Sequence, residues 1–127
     1  MIHLDTHVVV WLRGGEFHRF PQAARAALEA EDLAISPMVE LELRFLHETG
    51  RLSEGPEAIL GELGDTAGLC IDATPFPRVA RLAATAEFSF TRDPFDRVIA
   101  AQAAAARVVL VTKDGTLRQH LAATLWD

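Results

Sequence analysis

A chain of 127 residues, half of them apolar and carrying a formal charge of −6, can bury a substantial core as one globular domain (1–127) but has no length for a second. Its longest apolar stretches are alanine-rich and broken by Gln102 and Arg107, so none reads as a membrane span, and the N-terminus lacks the pattern of an export signal. The one cysteine, Cys70, excludes an internal disulfide and a cysteine-built metal site, and a reducing cytoplasm is the simplest setting.

In chain order, Met1 to Asp5 opens as a short strand. β-Propensity alone would extend it through Val8, Val9, Val10, Trp11 and Leu12, whereas a strand stopping near Asp5 leaves Thr6 to cap a helix that ends at Gly14 and Gly15. Ala24, Ala27 and Leu28 space a helix from Pro21 to about Glu31, and Leu33 to Ser36 is the next strand. Ser36-Pro37 caps a helix from Met38 to about Thr49, closed by Gly50. On it Glu40 neighbours Arg44 and is an ordinary solvated residue, while Glu42 has only apolar neighbours one turn away on either side and points inward. A carboxylate placed there needs an arginine, backbone amides or a cation.

Pro56 to Leu63 reads as a short helix, Leu69 to Asp72 as a buried strand, and Thr74 to Pro77 as a turn before a helix from about Arg78 to Glu87. Asp93-Pro94 is an N-cap followed by a first-turn proline, opening a helix to Ala106. Asp96 then falls at its third position, where a carboxylate meets the positive end of the helix dipole or joins a metal site. Val108 to Val111 is the clearest strand, apolar throughout as in the centre of a parallel sheet, and ends at Thr112-Lys113-Asp114-Gly115. Thr116 to Ala122 forms a last helix, and Leu125-Trp126 an edge strand or packing tail.

Strands alternating with helices imply a mainly parallel sheet with right-handed crossovers, which binds ligands beyond the carboxyl ends of its strands. Asp5 and Asp114 each sit just past such an end, and Glu42 enters from a helix that starts at another. Turn formation and helix capping explain Asp5 and Asp114 one at a time. Together with Asp96 and Glu42 they make an oxygen-only ligand set suited to magnesium or manganese, and hence to phosphodiester hydrolysis without a covalent intermediate. Thr6 and Thr112, beside strand ends, are local caps or orient a water or phosphate oxygen. The acidic charge does not itself favour a nucleic-acid partner, although all basic residues but Lys113 are arginine, the better fork for phosphate.

Leu4-Asp5-Thr6-His7, Ser36 with Glu42, Gly50-Arg51-Leu52, the run Arg92-Asp93-Pro94-Phe95-Asp96-Arg97 with Ile99 to Ala103, and Leu110 to Asp114 together resemble the PIN-domain ribonucleases, and among them the VapC-type toxins of bacterial toxin-antitoxin pairs. The resemblance covers nearly the whole chain. It implies a three-layer α/β/α sandwich and a short first strand followed by a helix. It also implies a magnesium- or manganese-dependent endoribonuclease held in check by a small antitoxin, with homodimerisation through apolar helix surfaces. Matched residue by residue, the catalytic metal-binding acids are Asp5, Glu42, Asp96 and Asp114. Asp93 belongs to the same motif as a cap beside the metal shell, and His3 and His7 flank Asp5 as supporting or packing groups. Leu41, Leu43, Phe45 and Leu46 exceed what one buried helix face requires, so part of that helix is expected to form a groove for the antitoxin. Two other readings compete: a PIN nuclease of RNA processing or decay without an antitoxin, and a receiver-like module accepting a phosphoryl group on Asp72.

Overall fold

The computed structural model describes residues 1–127. Five parallel strands, β1 (Ile2–Leu4), β2 (Leu33–Ile35), β3 (Cys70–Ile71), β4 (Val109–Val111) and β5 (Thr124–Leu125), lie in the order β3-β2-β1-β4-β5. Seven helices connect them: α1 (Thr6–Arg13), α2 (Gln22–Ala30), α3 (Pro37–Glu48), α4 (Pro56–Ala67), α5 (Phe76–Ala83), α6 (Pro94–Ala106) and α7 (Gly115–His120). The chain steps from β1 outward to β2 and β3, then crosses back over the sheet to β4 and β5. Right-handed crossovers therefore put α1 to α4 on one face and α5 to α7 on the other, giving the α/β/α sandwich. The order reverses between β1 and β4, whose residues pair Ile2 with Val109, His3 with Leu110 and Leu4 with Val111.

The segment after β1 is helical despite its valines. Asp5 caps α1, its carboxylate accepting from the Thr6 amide at 2.8 Å, so Asp5 rather than Thr6 is the capping residue. Val8 and Val9 are fully buried, and packing of that apolar stripe overrides β-propensity. Trp11, Phe20 and the buried Trp126 form an aromatic corner that holds the C-terminus against α1, so Leu125 pairs in the edge strand while Trp126 packs.

Several boundaries differ from the sequence reading, among them α7, which runs from Gly115 to His120 rather than from Thr116 to Ala122. β3 is two residues long, exposed, and at the sheet edge rather than buried. α4 runs one turn further, to Ala67, before Gly68 closes it in the left-handed region at φ 67°. α5 begins at Phe76, because Pro77 lies in a first turn that requires no amide hydrogen from it, and ends at Ala83, followed by a separate 3-10 turn at Ala86–Phe88.

A buried polar chain ties the two helical layers together. Ser36 Oγ donates to Gln102 Oε1 at 3.2 Å, and Gln102 Nε2 donates to Asp72 Oδ2 at 2.8 Å. The His3 ring, also buried, stands 3.6 Å from Asp72. Burial lowers the pKa of His3, opposed by the charge of Asp72. Burial pushes the Asp72 carboxyl up, but hydrogen bonds from Gln102 and Thr74 and the neighbouring His3 together hold it below its ordinary value. This chain fixes α6 against the ends of β2 and β3.

Candidate active site

At the carboxyl edge of the sheet, where the strand order reverses, a cavity of about 780 Å³ is lined by Asp5, Glu42, Asp93, Asp96 and Asp114. Each acid arrives by a local device. The Asp5 amide donates to the carbonyl of Val111 at 3.0 Å, prolonging the β1–β4 ladder by one bond, and the residue is 7% exposed. Beyond β4 the chain turns on Thr112, whose Oγ1 accepts from the Asp114 amide at 3.0 Å and donates to Asp5 Oδ2 at 2.6 Å. Asp114 caps α7, its Oδ1 accepting from the Leu117 amide at 2.9 Å.

From α3, half-buried Glu42 comes to the same place and its Oε1 accepts a hydrogen bond from Thr6 Oγ1. α3 packs against α6, which carries the N-terminus of α6 to the rim. There exposed Asp93 caps the helix, accepting from the amides of Phe95 at 2.8 Å and Asp96 at 3.4 Å. The Asp96 carboxylate has no hydrogen-bond partner within the chain. Glu40 is exposed as expected, but Arg44 pairs with Glu57 of α4 rather than with it.

The electrostatics follow from this crowding. Burial, then the charges of Asp93, Asp5, Asp114 and Glu42, push the Asp96 carboxyl up to about 7. Burial also raises Asp5, against the hydrogen bonds from Thr112 and Thr6. Glu42 is raised by burial, partly offset by Thr6 and reinforced by Asp5 and Asp93. Acids raised by one another's charge bind a cation favourably, since it relieves the repulsion of every member. The donors are carboxylate oxygens, the set that hard divalent ions prefer. The acids line one pocket, although no three of them form a ready-made ligand cage. By donor chemistry and charge they suit magnesium or manganese.

Both threonine hydroxyls point at carboxylates rather than into the cavity: Thr6 at Glu42, Thr112 at Asp5. His7 lines the pocket, while His3 faces away from it and packs near Asp72. The sequence reading passed over three further lining residues, Trp11, Arg51 and Lys113, as binding groups. Trp11 lies one helical turn beyond His7 on α1, a relation visible only once the segment is known to be a helix.

Comparison with known proteins bears on the fold and the family. The PIN domain profile matches residues 2–120. The chain belongs to the PIN-domain family. Ribonuclease VapC22 of Mycobacterium tuberculosis is 36% identical over 123 residues, covering 92% of this chain and 89% of that protein. Among solved structures, VapBC2 from Rickettsia felis, bound to a DNA fragment from its promoter, is similar with a TM-score of 0.66 at 22% identity, covering all of both chains. VapBC-1 from nontypeable Haemophilus influenzae follows at 0.64 and 16%, covering 100% of this chain and 97% of that one. At these identities the two structures establish the PIN fold. The receiver-like alternative is excluded: Asp72 follows an edge strand, its carboxylate is occupied by Gln102 and Thr74, and it lies outside the acidic pocket.

Proposed function

We propose that this PIN-domain chain is a magnesium- or manganese-dependent endoribonuclease acting as the toxin of a VapC-type toxin-antitoxin pair. The observation that carries the reading is Asp96, a carboxyl with no partner of its own, facing four more acids in one pocket at the reversal of strand order. The 36% identity to a ribonuclease over most of both chains supports the reaction class.

Asp5, Glu42, Asp96 and Asp114 would hold the ion. When bound, it supplies Lewis-acid chemistry: a more acidic water, and offset charge on the phosphodiester as the bond to the leaving oxygen breaks. The remaining roles belong to the chain. Thr112 and Thr6 orient Asp5 and Glu42 by donating a hydroxyl hydrogen bond to one oxygen of each; the other Asp5 oxygen accepts from the Thr6 amide, and the remaining lone pairs of the two carboxylates are those an ion would use. Asp93 fixes the first turn of α6 and so the backbone that presents Asp96. Lys113 and Arg51, neither in a salt bridge, are the cations available to substrate phosphates in the same pocket.

The antitoxin and a second copy of the chain would pack on apolar helix surface. Leu41 and Phe45 of α3 are 55% and 44% exposed, and Phe76 of α5 is 56% exposed. Leu43 is instead buried in the core, and Leu46, also buried, lines the acidic pocket, so neither contributes to that surface. No helix is long and apolar enough to cross a membrane; the cytoplasmic setting belongs to the proposal.

Purified protein incubated with total cellular RNA tests the reading. Cleavage into discrete fragments with Mg²⁺, and none with excess chelator, is expected. Intact RNA under both conditions would rule out the nuclease.

A further inference from the structure

The acidic pocket has a second half that the metal chemistry does not use. One turn along α1 from His7, the half-buried Trp11 ring lines the same cavity as the acids. Its position is set by the buried rings of Trp126, centroid to centroid 6.0 Å, and Phe20 at 6.4 Å, and by His7 at 5.9 Å on the same helix. Two exposed cations reach it: Arg19 with its Cζ 5.2 Å from the ring centroid, and Lys113 with its Nζ at 5.7 Å. Arg19 is held by Glu16 at 3.0 Å, but Lys113 is in no salt bridge and sits between Thr112, which bonds Asp5, and Asp114. The result is an ordered aromatic surface next to the carboxylates, flanked by two cations of which only Lys113 is without a salt bridge.

We propose that Trp11 is the floor of a nucleobase subsite, on which a base adjacent to the scissile phosphate stacks while Lys113 moves from the ring to that nucleotide's phosphate. The inference rests on the ribonuclease reading and deepens it. A base inside an A-form duplex has both faces covered by its neighbours, so only an unpaired nucleotide can offer a face to Trp11. Stacking on a fixed indole is strong and tolerant of base identity, and the free ammonium supplies phosphate attraction that an acidic pocket otherwise lacks.

The test is a cycle between protein and substrate. A short single-stranded RNA that the wild type cuts in Mg²⁺ is prepared intact and with one abasic residue at each position flanking the cut. Cleavage by wild type, Trp11→Leu and Trp11→Phe is compared. At one flanking position, loss of the base should lower wild-type kcat/KM about tenfold, chiefly through KM. Trp11→Leu should show that loss on the intact RNA and no further loss on the abasic one, with Trp11→Phe in between. In the Asp96→Asn background the same intact RNA should quench tryptophan fluorescence, and Trp11→Leu should abolish the quenching while Trp126 still emits.

Independent penalties that multiply at every position would overturn the subsite, as would a Trp11→Leu protein that cuts like wild type. Should Trp11→Leu fail to fold, Trp11→Phe and the abasic series on wild type still decide: insensitivity to every abasic position overturns the proposal. A wild type that cuts no RNA removes the underlying reading as well, which separates the two failures.

Discussion

Thr112 Oγ1 donates a 2.6 Å hydrogen bond to Oδ2 of Asp5, joining residues 107 apart in sequence across the reversal between β1 and β4. Both partners are buried, and the same hydroxyl accepts from the Asp114 amide, so one threonine sets the distance between two of the acids.

Replacing Thr112 with valine keeps the shape and removes the donor. The buried Asp5 oxygen loses its partner, so we expect a stability loss of about 1–3 kcal/mol. Cleavage should fall about 10- to 100-fold, as when a group supporting a metal ligand is lost. Thr112→Ser should recover most of both. Thermal melts and initial rates on one RNA check this, and a valine variant with wild-type activity would remove Thr112 from the site.

The raised acids make the metal-free protein pH-sensitive in a defined direction. Asp96 binds its proton more tightly folded than unfolded, so its contribution to stability is fully present below about 4 and is lost as pH rises through about 7. Asp5 and Glu42 act in the same direction. His3, whose pKa is lowered, acts oppositely, its contribution being lost as pH falls below the ordinary histidine range. The difference between wild type and Asp96→Asn isolates the first effect. In chelator, the variant should gain about 1–2 kcal/mol over wild type between pH 4 and pH 8, after allowance for solvent screening at a partly exposed site. Denaturant titrations at the two values measure it, and an unchanged difference would contradict the crowding.

Linkage gives the companion expectation. Mg²⁺ should raise the melting temperature of wild type more at pH 8 than at pH 5, because protons compete with the ion for the same oxygens. Asp96→Asn should lose most of that rise. Equal shifts at both values would indicate that the ion binds elsewhere.

Leu41→Glu, at an exposed position on α3, should weaken self-association at least tenfold without lowering the melting temperature. Sedimentation velocity across a concentration series reads this directly. A wild type that remains monomeric throughout removes the homodimer from the proposal.

Much of this arrangement was readable from local signals. The start of α6 at Pro94 follows from an aspartate cap and a first-turn proline, and its end at Ala106 also falls where expected. Asp5 and Asp114 could be placed past strand ends because capping and turn chemistry mark such positions. The edge position and exposure of β3 were not legible, since a short apolar run looks alike in the centre of a sheet and at its margin. The arrival of Asp96 at the rim depends on α3 packing against α6, and the Thr112–Asp5 bond on two distant strands lying side by side. Neither leaves a trace in sequence spacing. Trp11 was hidden for a different reason: a helix over this segment is expected, but its valines and Trp11 are all apolar, and only the packing of α1 against the sheet decides which of them meets the pocket.

The most direct test of the acidic centre is the rate of RNA cleavage as a function of Mg²⁺ concentration for wild type and Asp96→Asn, with circular dichroism confirming that both are folded. Saturable Mg²⁺-dependent cleavage by wild type is expected, with a loss of at least a hundredfold in the variant at every concentration. Cleavage by Asp96→Asn at the wild-type rate, or cleavage by wild type that persists in excess chelator, would contradict it.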